Sequence, residues 1–238
     1  MAADGGQRSR HGRVFDALGD VASNDGEAGH QTRHFLILNA LYDAFRRVYN
    51  AQARREPADY SDYSDHRPDI TLLVEGMLQV LDVKVFDPIG SAAGDVGERG
   101  AFVAMGNTAP RAQAAVMGTR QRGVKTDERF QPRTGKGYVA PAAGDYARAL
   151  DCGVTVVPLL VETFGGLGVE LVKALRSAAE WRRNKLVSSE YDETTWSART
   201  FTAFVMQRLS VAIQLSAAQE VAEALGLSVA ADPRVAGA

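Results

Sequence analysis

Two aspartates and a lysine in the first half of the chain have the types and spacing to do chemistry. Asp69 lies in Arg67-Pro68-Asp69-Ile70, and Asp82 and Lys84 lie in Leu81-Asp82-Val83-Lys84. Twelve residues, 70–81, separate the two carboxylates. Within them, Thr71 to Val80 reads as two apolar strands joined at Glu75-Gly76, about 70–75 and 78–86. A hairpin of that size folds Asp69 back toward Asp82 and Lys84. Side chains alternate faces along a strand and rise about 3.3 Å per residue, so Asp82 and Lys84 share one face roughly 6–7 Å apart. Val83 and Val85 take the other face. Polar groups in the apolar run Val80 to Phe86 cost free energy unless they are paired or bind a metal. Two like charges about 4 Å apart repel by about 4 kcal/mol at an effective dielectric near 20. A divalent cation between Asp69 and Asp82 turns that repulsion into binding. Two carboxylates and an ammonium converging at one end of a small sheet therefore suit one or two hard cations and phosphodiester hydrolysis. The alternative is a salt-bridged surface pair, with Pro68-Asp69 opening a turn.

The elements that must hold these residues follow from periodicity. A short helix is expected at 14–21 and a clearer one at 33–50, where Leu38, Leu41, Phe45 and Val48 form one stripe. Arg54 to His66 is polar and reads as loop. Asp87-Pro88 stops the second strand. Residues 89–108 are Gly- and Ala-rich and read as a mobile loop. Thr108-Ala109-Pro110 opens a helix expected to reach Arg122. Residues 123–141 read as loop with one short strand at Tyr138-Val139. Val154 to Glu162 is continuously apolar, and Pro158 inside it argues for a sheet edge or a bulge. Helices are expected at 167–186, with Leu171, Leu175, Ala178 and Trp181 inward, and over 196–225. In the latter, Phe201, Phe204, Val205, Leu209, Ala212 and Leu215 are expected inward. The fold class is α/β in the broad α+β sense: a small mixed sheet flanked by helices, with a helical C-terminal third. Residues 9–226 form one domain between a disordered tail at 1–8 and a frayed end at 227–238.

The 238 residues carry a net charge of −2, so bulk charge does not announce a nucleic-acid binder. Charge is uneven, however. Residues 99–136 hold Arg99, Arg111, Arg120, Arg122, Lys125, Arg129, Arg133 and Lys136 against Asp127 and Glu128, a local excess of six. Such a face suits a phosphate backbone, or is simply solvated. Trp181-Arg182-Arg183-Asn184-Lys185 is a second candidate strip. The single cysteine, Cys152, excludes an internal disulfide and a multi-cysteine zinc site, and is expected to be a small buried residue. His30 and His34 have zinc-like spacing but no third ligand at a known interval. His66 abuts Arg67-Pro68-Asp69, either assisting the site or capping the loop. No apolar run approaches the roughly 20 residues of a membrane span. Neither a phosphate loop around Gly135-Lys136-Gly137 nor a serine-hydrolase elbow is present.

The order helix, hairpin, helix, strand resembles the core of the restriction-endonuclease-like nuclease superfamily, whose signature reads Pro-Asp … Asp/Glu-x-Lys. A closer resemblance is to the endonuclease-like region that follows reverse transcriptase in retrotransposon-type proteins. Arg67-Pro-Asp-Ile, Leu81-Asp-Val-Lys-Val-Phe-Asp-Pro and Val157-Pro-Leu-Leu-Val-Glu-Thr-Phe-Gly-Gly-Leu-Gly168 carry it, over roughly residues 8–226. No reverse transcriptase residues are present, so the resemblance implies a stand-alone, truncated or domesticated form.

The resemblance implies Asp69 and Asp82 as ligands of Mg²⁺ (or Mn²⁺), and Lys84 as the residue that orients water and stabilises charge on the attacked phosphate. Many relatives replace that lysine. The superfamily often places a Glu on the first helix; here Glu27 is read in a loop, and Asp43 is the sole carboxylate within the second helix. Glu162 is either a further metal ligand or a carboxylate at the N-terminus of the next helix. The expected activity is metal-dependent endonuclease cleavage of DNA. The alternative is an inactive domain of the same fold that binds nucleic acid or protein. Arg111, Arg120, Arg122, Lys125 and Arg129 are the expected DNA contacts. A homodimer and reverse transcriptase or retroelement machinery are the candidate protein partners. An intracellular location is expected: the nucleus for a retroelement-derived eukaryotic chain, otherwise the cytoplasm.

Overall fold

The computed structural model describes residues 27–60, 66–86, 112–120, 122–123, 125–128, 131, 134, 136–194 and 197–224. The expected helix at 14–21, the loop at 89–108 and both tails lie outside these residues.

Helix α1, Glu27–Tyr49, buries Leu38, Leu41, Phe45 and Val48 along one stripe, as their spacing requires. It starts earlier than expected, so Glu27 belongs to the helix rather than to a loop. Arg46 and Arg47 lie in its last turn, where cations suit the dipole. Strands β1 (Ala53–Arg55), β2 (Ile70–Val74) and β3 (Met77–Phe86) follow. The turn between β2 and β3 is two residues long, with φ of 51° at Glu75 and 79° at Gly76. Two positive φ values give the turn twist that matches paired strands. β1 was not expected: its three residues, Ala53-Arg54-Arg55, are too few and too polar to show alternation.

A helix at 112–117, α2, ends at Gly118 rather than running to Arg122. Gly118 adopts φ +77° and sits against the Ala142 carbonyl, where a side chain would collide. Beyond it, β4 (Arg122–Gly123) pairs with β5 (Tyr138–Val139) as a separate two-stranded ribbon. The short α3, Ala147–Asp151, leads into β6, Thr155–Glu162. Cys152 caps α3 and is exposed, contrary to the expectation of burial.

The sheet order is β1-β2-β3-β6, with β3 and β6 parallel and the other pairs antiparallel. β6 is an edge strand, which explains how Pro158 is tolerated. Helices α4 (Val169–Trp181), α5 (Ser188–Glu193) and α6 (Phe201–Ala224) complete the chain. Leu171, Leu175 and Ala178 are buried, but Trp181 is 56 % exposed and meets only the edge of the core, its ring 6.0 Å from Tyr49. In α6, Phe201, Phe204, Val205 and Leu209 point inward, whereas Leu215 is exposed.

The two faces of the sheet differ. Ile70, Leu72, Leu81, Val83, Leu159 and Val161 join the large core made with α1, α4 and α6. The opposite face carries a smaller cluster of Tyr60, Val80, Val116, Tyr146, Ala149 and Val156. Asp82 and Lys84 lie on this second face, two and four residues on from Val80. No helix among the described residues is long and apolar enough to cross a membrane.

Candidate active site

The β2–β3 register pairs Ile70 with Leu81, which sets Asp69 and Asp82 side by side at the open end of the hairpin. Asp69 is fixed through its backbone and its side chain. Its carbonyl accepts from the Glu56 amide at 2.9 Å. Its Oδ2 accepts the Val83 amide at 2.6 Å and lies 3.2 Å from His34 Nε2. Asp82 is 4 % exposed. The Tyr146 hydroxyl donates to its Oδ1 at 2.8 Å, and Lys84 Nζ is 3.0 Å from its Oδ2. Lys84 also lies 3.7 Å from Asp145 Oδ2. These groups open on a cleft of about 430 Å³ lined by Arg33, His34, His66, Arg67, Asp69, Asp82, Val83, Lys84, Val85 and Tyr146.

The electrostatics of the cleft point one way. Burial pushes the Asp82 carboxyl above the usual carboxylate range, and Asp69 adds to the push against the opposing pull of Lys84. Burial alone would lower Lys84, but the Asp82 carboxylate outweighs it and raises the ammonium pKa. The hydrogen bond to Asp69 raises His34 against its own desolvation. Burial and Asp82 push the Tyr146 hydroxyl far above its ordinary range, so it stays a donor. All four groups hold protons more tightly than usual: burial leads for Asp82 and Tyr146, and neighbouring carboxylates outweigh burial for His34 and Lys84. Asp69 and Asp82 are the oxygen ligands on offer.

Asp69, Asp82 and Lys84 therefore come together as their spacing implies. Glu162 does not join them. It lies at the end of β6 opposite Phe86, and its carboxylate packs on Gly166, outside the cleft. Asp43 is also remote from the cleft, paired with Arg47 and Arg208. Arg120 and Lys125 are exposed, and Arg122 lies in β4. Arg111 and Arg129 fall outside the described residues. In the second candidate strip, Arg182 is turned inward onto Glu190 rather than outward. His66 lines the cleft 3.6 Å from Asp145.

Two residues of the site, Asp145 and Tyr146, had no sequence signal, and a third, His34, had only a weak one. His34 reaches Asp69 from α1, and half of a zinc-like spacing was its sole mark. Asp145 and Tyr146 arrive from a loop after a long crossover, at no recognisable interval from Asp82. Arg33 is sealed at the back of the cleft, where it donates to Thr163 Oγ1 at 2.6 Å and pairs with Glu220 of α6. Thr163 in turn bonds the Phe86 carbonyl, so this arginine ties α1 and α6 to the end of β3.

No protein-family model, curated protein or solved structure matches this chain.

Proposed function

We propose that this chain is a metal-dependent endonuclease domain, restriction-endonuclease-like in its core and retroelement-derived, that hydrolyses DNA phosphodiester bonds. The observation that carries the reading is the meeting of Asp69, Asp82 and Lys84 in one cleft. The donor set fits Mg²⁺ or Mn²⁺: two hard carboxylates on adjacent strands, one of them buried and incompletely balanced by its lysine. Among the described residues no group of three or more His, Cys, Asp or Glu is arranged to hold an ion. A cation held by Asp69 and Asp82 would thus complete its shell with water and substrate oxygens, as Mg²⁺ commonly does. When bound, it would supply Lewis-acid stabilisation of phosphate charge and a more acidic water.

The chain's own residues do the rest. The Val83 amide and His34 hold Asp69 Oδ2, leaving Oδ1 for the cleft. Lys84 brings an ammonium to the phosphate, where it stabilises charge developing on the non-bridging oxygens. Exposed Arg120 and Lys125 offer backbone contacts. Reverse transcriptase or retroelement machinery is the protein partner this reading names.

A second reading has an observation of its own. Asp82 is engaged at both oxygens and Asp69 at one, as in an ion-paired site that no longer needs a metal. An inactive domain that binds nucleic acid or protein would look like this. Calorimetric titration with Mn²⁺, followed by plasmid nicking, separates the two. The nuclease reading requires heat of binding that Asp69→Asn removes; an inactive domain binds no ion and leaves plasmid supercoiled.

A further inference from the structure

The Asp82–Lys84 pair is held from a second element that the strand motif does not contain. Gly144-Asp145-Tyr146 leads into α3 and crosses the small-core face of the sheet. Tyr146 is 1 % exposed, and its hydroxyl donates to Asp82 Oδ1 at 2.8 Å. Asp145 Oδ2 is 3.7 Å from Lys84 Nζ. Two consecutive residues thus touch the two charged ends of the motif. Backbone bonds to the end of α2 set their position. The Asp145 amide donates to the Ala115 carbonyl at 2.8 Å, and the Tyr146 amide to Val116 at 3.3 Å. The loop can come this close because residue 144 is glycine: a Cβ there would overlap the Gly118 amide and the Val116 carbonyl.

We infer that Asp145 and Tyr146 are positioning residues for the Asp82–Lys84 pair. The Tyr146 hydroxyl holds one Asp82 oxygen so that the other faces Lys84 and the cleft. Asp145 holds the ammonium between two carboxylates, so that it neither collapses wholly onto Asp82 nor swings into solvent. The catalytic consequence rests on the nuclease reading; the clamp itself does not.

Two conservative variants test it. Tyr146→Phe keeps the ring and removes the O–H, and Asp145→Asn keeps the shape and removes the charge. The first readout is chemical labelling located by mass spectrometry on full-length, metal-free protein. Carbodiimide coupling at Asp82 should quicken roughly fivefold in Tyr146→Phe, as for loss of one hydrogen bond. Amine acylation at Lys84 should quicken roughly twofold to fivefold in Asp145→Asn, as for loss of a half-exposed ion pair. The second readout is steady-state nicking: kcat should fall roughly 10- to 100-fold with KM nearly unchanged, as for loss of outer-shell support. Unchanged labelling in both variants overturns the clamp, and faster labelling with unchanged kcat overturns its positioning role. A wild-type chain that nicks nothing while labelling quickens in the variants supports the clamp and removes the nuclease reading. If Tyr146→Phe fails to fold by circular dichroism, Asp145→Asn decides alone.

Discussion

Glu190 and Asp82 are both nearly sealed from solvent, 1 % and 4 % exposed, yet their surroundings move their carboxyls in opposite directions. Burial pushes Glu190 up, but the Arg182 guanidinium and the Val187 amide outweigh it and hold the group below the usual range. Arg182 grips both Glu190 oxygens, at 2.7 and 2.9 Å, while lying over the Phe201 ring. Around this pair Arg47 joins Asp43 to Glu193, and Arg208 meets both of those carboxylates. Three guanidiniums thus serve three carboxylates. At Asp82, burial outweighs the pull of Lys84, Asp69 adds to the upward push, and the carboxyl is held above its usual range. A cluster that locks α5 to α1 and α6 is fully compensated. A cluster that faces a cleft holds its buried carboxyl above the usual range, and such perturbed groups gather at functional sites.

Lys84→Ala should lower the nicking rate by roughly 100-fold while leaving Mg²⁺ affinity unchanged or tighter, since it removes a cation that repels the ion. Rates against Mg²⁺ concentration check this. A variant that fails to fold would make the lysine a structural ion pair like Arg182.

Stability should respond next. Glu190→Gln strips charge from a buried bidentate pair and should cost on the order of 2–3 kcal/mol in urea unfolding. Glu190 has a lowered folded pKa, so its contribution is present above the ordinary 4.5 and disappears as pH falls through the folded value. The cost of Glu190→Gln should therefore shrink in acid. Asp82 has a raised folded pKa, so its charge opposes folding once pH rises through that value. In metal-free protein, Asp82→Asn should raise stability at pH 7 by up to about 1 kcal/mol, because the ionised carboxylate is the disfavoured form at this buried position. That gain should vanish below the ordinary 3.8. Parallel pH profiles for the two variants would erase the contrast.

Much of this arrangement is legible in the sequence, for identifiable reasons. The hairpin is local: Glu75-Gly76 specifies the turn, and the alternation on either side specifies which residues share the Asp82 face. Pro158 marks an edge strand because a missing N–H is tolerated there. The first helix shows because four apolar residues repeat at its period. What stays hidden depends on contacts made across the long crossover from β3 to β6. Tyr146 and Asp145 reach Asp82 and Lys84 only once α2 and α3 are folded over the sheet. Helix α2 stops early because Gly118 meets Ala142, a contact no local pattern announces. Trp181 fits an apolar period yet lies at the edge of the core, and Leu215 sits on the outer face of α6, where Ile213, Ser216 and Glu220 take the buried positions.

The smallest expected effect concerns the basic residues beyond α2. Changing Arg120, Arg122 and Lys125 to Glu should flatten the salt dependence of DNA binding by about three phosphate contacts, at roughly 0.9 per contact. Cleavage at saturating DNA should persist. An unchanged slope would remove this face from the account.

If Asp69 and Asp82 form a cation site that cuts DNA, cleavage must depend on both the ion and the carboxylates. Nicking of supercoiled plasmid by purified wild-type chain and folded Asp82→Ala, each with Mg²⁺ and with chelator, tests it most directly. Open-circular product is expected from the wild-type chain with Mg²⁺ alone, and none from Asp82→Ala. Equal nicking by the two proteins, or nicking that survives the chelator, would contradict it.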